Sequence, residues 1–410
     1  MIRFIHTADI HYGMENYGRI DPQTGIHTRL HDFDKAFNAA IDCAIEQGVD
    51  AFLIAGDAYK TTNPSPTQQR LLLRALLRLH KAKIPAVIVV GNHDNPLSFG
   101  KANTLDVFGD LPLDGFHVIG KPTALTLQTK HGPLQIVGMP WPTRNTIAIS
   151  EKHSFKSSFE LTDYIAKSAS NIINHLAETL DPTLPAILTG HLTVSSGIFS
   201  GSEKRAIYGN DPVFLPSQLA IKPFDYVALG HLHRFQDLNL KGHPPVVYSG
   251  SIERIDFGER KEDKGFCLVT IHSKEKTTYE FIKTPQRPFI QVDVELNQES
   301  QTNQIIEALQ QHDLKDAVVK IIYYLQEGSA DTVDLNAVQR ACNAAHDIVG
   351  IIPVHQQKRR QQRAAMKIDM SLEDLLETYF TSKPELTPQK EMLIEKALQL
   401  QEEISQKEVS

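Results

Sequence analysis

Five short polar motifs in this 410-residue chain bring together side chains able to do chemistry: Asp9-Ile10-His11, Gly56-Asp57, Gly91-Asn92-His93-Asp94, Gly190-His191 and Gly230-His231-Leu232-His233. They offer carboxylate and carboxamide oxygens and imidazole nitrogens, with no thiolate among them. Such a mixed set suits Mn²⁺, Fe²⁺ or Zn²⁺, and its oxygens tilt the choice toward Mn²⁺. Asp9, His11, Asp57, Asn92, His191, His231 and His233 are too many ligands for one tetrahedral ion. They fit two ions about 3.5 to 4 Å apart that share one carboxylate, as two-metal hydrolysis requires.

Single motifs of this kind recur without function. Asp-x-His or Gly-Asp alone is common, and Asn and Asp favour turns for purely local reasons. Gly91-Asn92-His93-Asp94 is more specific, because a turn needs Gly-Asn but not the His-Asp behind it. In Gly230-His231-Leu232-His233 the alternation of an extended segment points both imidazoles to one side, as two ligands need. His6, His27, His31, His80, His117 and His131 lack such surroundings and read as structural or solvated.

Each motif sits where an apolar run ends. Ile2 to His6, Ala51 to Ala55, Ala86 to Val90, Ala186 to Thr189 and Tyr226 to Leu229 read as short buried strands. Asp32 to Gln47 and Pro66 to Lys81 read as helices between them, the second with Leu72, Ala75, Leu76 and Leu79 at helical spacing. In a sheet of largely parallel strands the carboxyl ends cluster along one edge, where open α/β folds bind ligands. Glycine before the ligand in four motifs lets the backbone turn sharply and approach an ion or phosphate. Residues 123 to 138 and 245 to 283 read as a second, partly antiparallel sheet.

A break at Thr284-Pro285-Gln286-Arg287-Pro288 precedes a unit of strand Phe289 to Leu296, helix Thr302 to His312, strand Ala317 to Leu325 and helix Leu335 to Asn343, read as a small α+β domain. The basic stretch Lys358-Arg359-Arg360-Gln361-Gln362-Arg363 follows, then two amphipathic segments. In the first, Leu372, Leu375, Leu376, Tyr379 and Phe380 form the stripe, with Ser371 and Asp374 spaced as a capping box. In the second, Thr387 and Pro388 open a helix striped by Leu393, Ala397, Leu400 and Ile404. The expected division is 1–284, 285–354 and 355–410.

Composition narrows the class. With 41% apolar and 22% charged residues the chain is neither disordered nor fibrous. No run of 18 apolar residues and no signal-peptide pattern occurs, so a cytoplasmic protein away from the membrane is expected. Cys43, Cys267 and Cys342 form no C-x-x-C pair and read as small core residues. The net charge of −7 argues against a non-specific nucleic-acid coat, whose grip comes from Lys and Arg. An acidic enzyme of nucleic acids needs basic patches, metal ions or a partner to hold phosphate.

These motifs resemble the calcineurin-like metallophosphoesterase superfamily. More narrowly, Phe4-Ile5-His6-Thr7-Ala8-Asp9-Ile10-His11, Asp225 to His233, Tyr248-Ser249-Gly250-Ser251-Ile252-Glu253-Arg254, Phe257-Gly258-Glu259 and Lys264-Gly265-Phe266 are similar to the SbcD nuclease subunits of bacterial SbcC/SbcD DNA-repair complexes. The resemblance covers about 1 to 270; the later segments agree in position and type only. It implies an α/β fold, a four-layer sandwich of two mixed β-sheets flanked by helices, with a small α+β capping domain and C-terminal helices. It also implies that Asp9, His11 and His233 hold one metal, that Asn92, His191 and His231 hold the other, and that Asp57 bridges them. His93 would then face the scissile phosphate as catalyst, oriented by Asp94. Related nucleases often carry a second histidine shortly after Gly-Asp, where this chain has Lys60, a side chain suited to a phosphate.

The same resemblance implies Mn²⁺-dependent 3′-to-5′ exonuclease and single-strand endonuclease activity on DNA. The implied partner is an SbcC-type coiled-coil ATPase docked on the C-terminal helices, in a heterotetramer containing a homodimer of this chain. On the residues alone, those helices serve equally as an intramolecular packing face, and the basic stretch equally as a solvated linker. A phosphodiesterase for cyclic nucleotides or nucleotide sugars would use the same centre. A catalytically silent scaffold is disfavoured by intact ligands at every motif.

Overall fold

The computed structural model describes residues 1–95, 102–147, 155, 157–201, 211–355, 376, 377, 379, 380 and 390–407, residues 400–407 by backbone alone. The short apolar runs assemble into two six-stranded sheets. In the first, β1 (Ile2–Thr7), β2 (Ala51–Ile54), β3 (Ala86–Val89) and β4 (Phe116–Ile119) run parallel. Antiparallel β13 (Gly265–Ser273) and β14 (Lys276–Lys283) extend it beyond β1, giving the order β14-β13-β1-β2-β3-β4. The second has the order β11-β12-β10-β7-β6-β5, from β5 (Thr123–Thr129), β6 (Gly132–Met139), β7 (Ala186–His191), β10 (Tyr226–Gly230), β11 (Gln236–Asp237) and β12 (Val246–Tyr248). The two-residue strands β8 (Thr193–Val194) and β9 (Val213–Phe214) pair with each other.

Contrary to the sequence expectation, the five motif strands do not share a sheet: β1, β2 and β3 lie in the first and β7 and β10 in the second. Nor do residues 245 to 283 belong together, because β12 joins the second sheet while β13 and β14 join the first. Apolar periodicity reports which faces are buried, and the motif strands are buried on both faces in either sheet, so it cannot assign them to one or the other.

The strand alternation explains the layering. In β1, Phe4 points into the layer between the sheets and Ile5 toward the helices. In β10, Tyr226 and Ala228 fill the inter-sheet layer while Val227 and Leu229 face outward. Helices α1 (Thr28–Gln47) and α2 (Pro66–Lys81) cover the first sheet with Phe33, Phe37, Leu72 and Leu76. Helix α4 (Ser158–Glu178) covers the second with Ile165, Ala169 and Ile173. Short helices α3 (Asp106–Gly109) and α5 (Pro216–Leu219) complete this part. The result is the expected four-layer sandwich, in which burying each such large apolar side chain contributes about 1.5 to 3 kcal/mol. Cys267 lies in the inter-sheet core.

Helix α2 begins where the sequence places it, with Ser65 and Gln68 forming a reciprocal capping box around Pro66. Helix α1 starts four residues before the expected Asp32, because the His27 side chain caps Arg29 N and Arg29 is itself buried against Asp32 and the Arg254 carbonyl.

Beyond Thr284, β15 (Phe289–Leu296), α6 (Gln301–Gln310), β16 (Val318–Leu325), α7 (Leu335–Ala341) and β17 (Asp347–His355) form one unit. Its strands are all parallel, in the order β15-β16-β17, with the helices as crossovers. It is therefore an alternating β-α-β-α-β unit rather than the α+β unit expected, because its strands pair in parallel across crossover helices, and β17 adds a strand to the elements expected. The unit docks on the sandwich through Arg287, whose Nε and Nη2 lie 2.6 and 2.7 Å from the Asp32 carboxylate, and through Phe289 and Val318 packed on Phe257. The basic stretch 358–363, the capping residues Ser371, Asp374, Thr387 and Pro388, and Leu372 and Leu375 lie outside the described residues. Helix α8 (Lys390–Lys407) carries half-buried Leu393 and Ala397 beside buried Ile394. Among the described residues no helix is long and apolar enough to cross a membrane.

Candidate metal centre

The sheets face each other with β1, β2 and β3 opposite β7 and β10, so the ends of five strands meet at one edge of the sandwich. All seven expected ligands come together there. His11 Nε2 lies 3.3 Å from His233 Nε2, 3.7 Å from Asp57 Oδ2 and 4.0 Å from Asp9 Oδ1. His191 Nε2 lies 3.3 Å from Asp57 Oδ2 and 2.9 Å from Asn92 Oδ1, which is 3.2 Å from His231 Nδ1. Asp9, His11 and His233 form one donor group, and Asp57 stands between it and the group of Asn92, His191 and His231.

The backbone is bent to achieve this. Asp9, His11, Asp57 and His231 all have positive φ, at 51°, 49°, 52° and 101°. Non-glycine residues adopt this region at a cost, and such strain persists where the surroundings over-determine it. Glycine serves mainly to leave room: a Cβ on Gly91 would sit 2.1 Å from Asp57 Oδ1, and one on Gly230 2.1 Å from the Ala55 carbonyl.

The hydrogen bonds show what the donors can hold. His191 Nδ1 is 2.9 Å from the Ala55 carbonyl, which can only accept, so a neutral His191 presents a lone pair at Nε2 toward the Asp57 carboxylate. His233 Nδ1 is 2.8 Å from Glu259 Oε1, so its Nε2 presents a lone pair toward His11. Acceptors facing acceptors in a buried site need a proton or a cation between them. Burial alone would push the His191 imidazole down, but the adjoining Asp57 carboxylate outweighs this and leaves it pushed up to about 9. Burial likewise favours a neutral Asp57, yet His191 and the imidazoles of His93 and His11 hold it well below the usual carboxylate range. A donor set this electron-rich fits two divalent cations, which take the place of those protons.

His93 and Asp94 differ from the ligands. The His93 side chain is 35% exposed where Asp57 is 2%, so an incoming molecule can reach it. Its backbone N–H donates to Asp57 Oδ1 at 2.9 Å, and its Nδ1 lies 2.9 Å from the Lys60 carbonyl. Burial and the Lys60 ammonium push its imidazole down, against the pull of Asp57. Asp94 does not orient that ring. Its carboxylate accepts from the backbone N–H groups of Ala58, Tyr59 and Gly91 at 3.2, 3.0 and 3.1 Å. It braces the loops after β2 and β3, and burial pushes it up to about 7.

Asp211 and Trp141 carry no signal in the sequence that marks them as site residues, and Glu259 and Lys264 lie in segments that carry the family resemblance but were given no role there. Asp211 Oδ2 lies 3.2 Å from His231 Nε2. Trp141, the only tryptophan, packs on the imidazoles of His231 and His191 with centroid distances of 4.8 and 6.0 Å. Glu259 backs His233, and Lys264 Nζ lies 2.9 Å from Glu259 Oε2.

The family profile described as calcineurin-like phosphoesterase matches residues 2–235. The chain is 25% identical over 389 residues to the D subunit of the nuclease SbcCD from Bacillus subtilis, covering 92% of both chains. It is 26% identical over 302 residues to the protein of the same name in Staphylococcus epidermidis, covering 72% of each. Among solved structures, a dimetal phosphatase from Danio rerio is 10% identical with a TM-score of 0.37, covering 68% of this chain and 98% of that one. With its profile match spanning every motif from Asp9 to His233, the chain belongs to the calcineurin-like phosphoesterase family, hydrolases of phosphoester bonds built on a two-metal centre.

Proposed function

We propose that this chain is the nuclease component of a DNA end-processing complex, a Mn²⁺-dependent phosphodiesterase with 3′-to-5′ double-strand exonuclease and single-strand endonuclease activity. The observation that carries this reading is the extent of the likeness to the two SbcCD relatives. The longer match covers 92% of the chain and so runs beyond the phosphoesterase profile into the β15–β17 unit, which a hydrolase of small molecules does not need.

In this reading Asp9, His11 and His233 hold one ion, Asn92, His191 and His231 hold the other, and Asp57 joins them. Two divalent cations, when bound, neutralise phosphate charge and make an attacking water acidic. The chain's own residues do the rest. Buried Asp9 and Asp57 fix the spacing of the donors, and the half-exposed His93 meets the substrate. At rest its imidazole is neutral, with Nδ1 donating to the Lys60 carbonyl. A phosphate anion arriving at Nε2 favours the protonated form, which then donates to the leaving oxygen. Lys60, on the neighbouring loop after β2, adds positive charge for the phosphate. Residues 285–354 act as a cap, and the segment 355–410 docks an SbcC-type coiled-coil ATPase, which supplies part of the DNA grip that a net charge of −7 denies this chain.

Purified protein with Mn²⁺ is expected to degrade an end-labelled duplex and leave cyclic nucleotides nearly untouched; the opposite ranking would favour a small-substrate phosphodiesterase. Truncation after residue 366 is expected to abolish association with the ATPase while sparing hydrolysis. Retained association would rule out docking by the C-terminal helices.

A further inference from the structure

Glu259 and Lys264 are both buried, at 0% and 1% exposure, and the chemistry above makes no use of them. Strand direction brings them to the centre. Strand β13 runs antiparallel to β1, so its start lies beside the end of β1, and Lys264 immediately precedes it. Glu259 closes a 3-10 turn, Phe257–Glu259, which Asp256 caps through Gly258 N.

Their contacts converge on one ligand. Glu259 Oε1 accepts from His233 Nδ1 at 2.8 Å, while Oε2 accepts from Ile255 N at 2.9 Å and from Lys264 Nζ at 2.9 Å. Lys264 Nζ also donates to the His233 carbonyl at 2.7 Å and to Glu262 Oε2 at 3.2 Å. His233 is thus gripped at both ring and backbone. A buried ion pair is an expensive way to stabilise a fold, and well-packed apolar residues usually do as well. Its worth lies in the imidazole it fixes: with Nδ1 bound to a carboxylate, His233 can offer only the Nε2 lone pair, and offers it as a stronger donor.

The other imidazoles are held less tightly: His191 rests on the neutral Ala55 carbonyl, and His231 Nε2 meets the Asp211 carboxylate at a longer 3.2 Å. His11 Nδ1 is buried without a hydrogen-bond partner among the described residues, and Asp9 is held by the His231 backbone N–H, so of the two imidazoles in this group His233 is the one anchored at Nδ1. We infer that Glu259 is a positioning residue that selectively tightens the ion held by Asp9, His11 and His233, with Lys264 locking it in place. The inference rests on the division of ligands proposed above.

The test is Mn²⁺ binding to the full chain with Glu259→Gln, which leaves Lys264 paired with Glu262. Bound Mn²⁺ is counted by equilibrium dialysis, and Trp141 fluorescence reports on the ion at the imidazoles it touches, His191 and His231. Wild-type protein is expected to bind two ions. In Glu259→Gln one of them weakens by about 10- to 100-fold while the Trp141 midpoint moves by less than about twofold. In the metal-free protein the Nδ1 proton of His233, donated to a neutral amide oxygen in place of a carboxylate, should also shift upfield in the imidazole NMR spectrum. If Glu259→Gln does not fold by circular dichroism, Glu259→Gln/Lys264→Met removes both charges together and should show the same one-ion loss. Two ions bound unchanged, or both weakened alike, would overturn the role of Glu259 and leave the centre standing. Fewer than two ions in the wild type would instead overturn the division of ligands itself.

Discussion

His6 joins the two sheets whose edges make the centre, and it offers a quantitative test of how they are held. It lies near the end of the motif strand β1, is fully buried, and sits between Tyr226 Oη at 3.1 Å and the Leu229 carbonyl at 3.2 Å, both on β10 of the opposite sheet. Burial pushes its imidazole down to about 3, only partly offset by the hydrogen bond to Leu229. The unfolded chain binds this proton near pH 6.5, so the neutral His6 contributes stability that is full above that pH and is lost as pH falls toward the folded value. Between about pH 7.5 and about pH 5 the loss from this one group amounts to about 2 kcal/mol. Urea unfolding of the metal-free protein at the two pH values, compared with His6→Gln, isolates the contribution. Glutamine can keep both hydrogen bonds without titrating, so its stability should fall about 2 kcal/mol less than that of the wild type. Equal losses in the two proteins would refute the claim that His6 is held neutral between the sheets.

Three further substitutions probe the site and its supports. His93→Ala is expected to keep both metal ions and lose about 10²- to 10⁴-fold in phosphodiester cleavage, measured with metal analysis on the same sample; loss of an ion would make it a ligand instead. Gly91→Ala, whose Cβ would sit 2.1 Å from Asp57 Oδ1, should displace the bridging carboxylate and lower bound metal even where circular dichroism is unchanged. Arg287→Ala and Asp32→Ala, taken singly and together, should show a coupling of about 0.5 to 3 kcal/mol in thermal unfolding, because the pair is bidentate and mostly buried. Additive effects would mean that this contact does not hold the β15–β17 unit on the sandwich.

Much of this was legible in the sequence because buried strands and glycine-marked strand ends are local signals. The seven expected ligands lie at or within four residues of the ends of such strands, and α2 carries its own capping residues. Sheet membership was not legible, since Phe4 and Val137 are equally apolar whichever sheet they serve. Strand β17 was hidden by Gly350 and Pro353, which read as turn signals; proline is tolerated there because β17 is an edge strand. Glu259 and Lys264 lie in segments that carry the family resemblance, but they end the charged run Glu259-Arg260-Lys261-Glu262-Asp263-Lys264, which gives no sign that either is buried. Only the antiparallel return of β13 buries the two against His233. Asp94 shows the opposite case: its position beside His93 in the motif pointed to a partnership with the ring, whereas the tight turn directs its carboxylate to the backbone of the neighbouring loop.

The central claim is that Asp57 joins two ions into one hydrolytic centre. It is tested most directly by counting bound Mn²⁺ in wild-type and Asp57→Asn protein alongside hydrolysis of a simple phosphodiester. Two ions per chain should fall to one or none as hydrolysis disappears. A variant that keeps both ions and its activity would contradict the account.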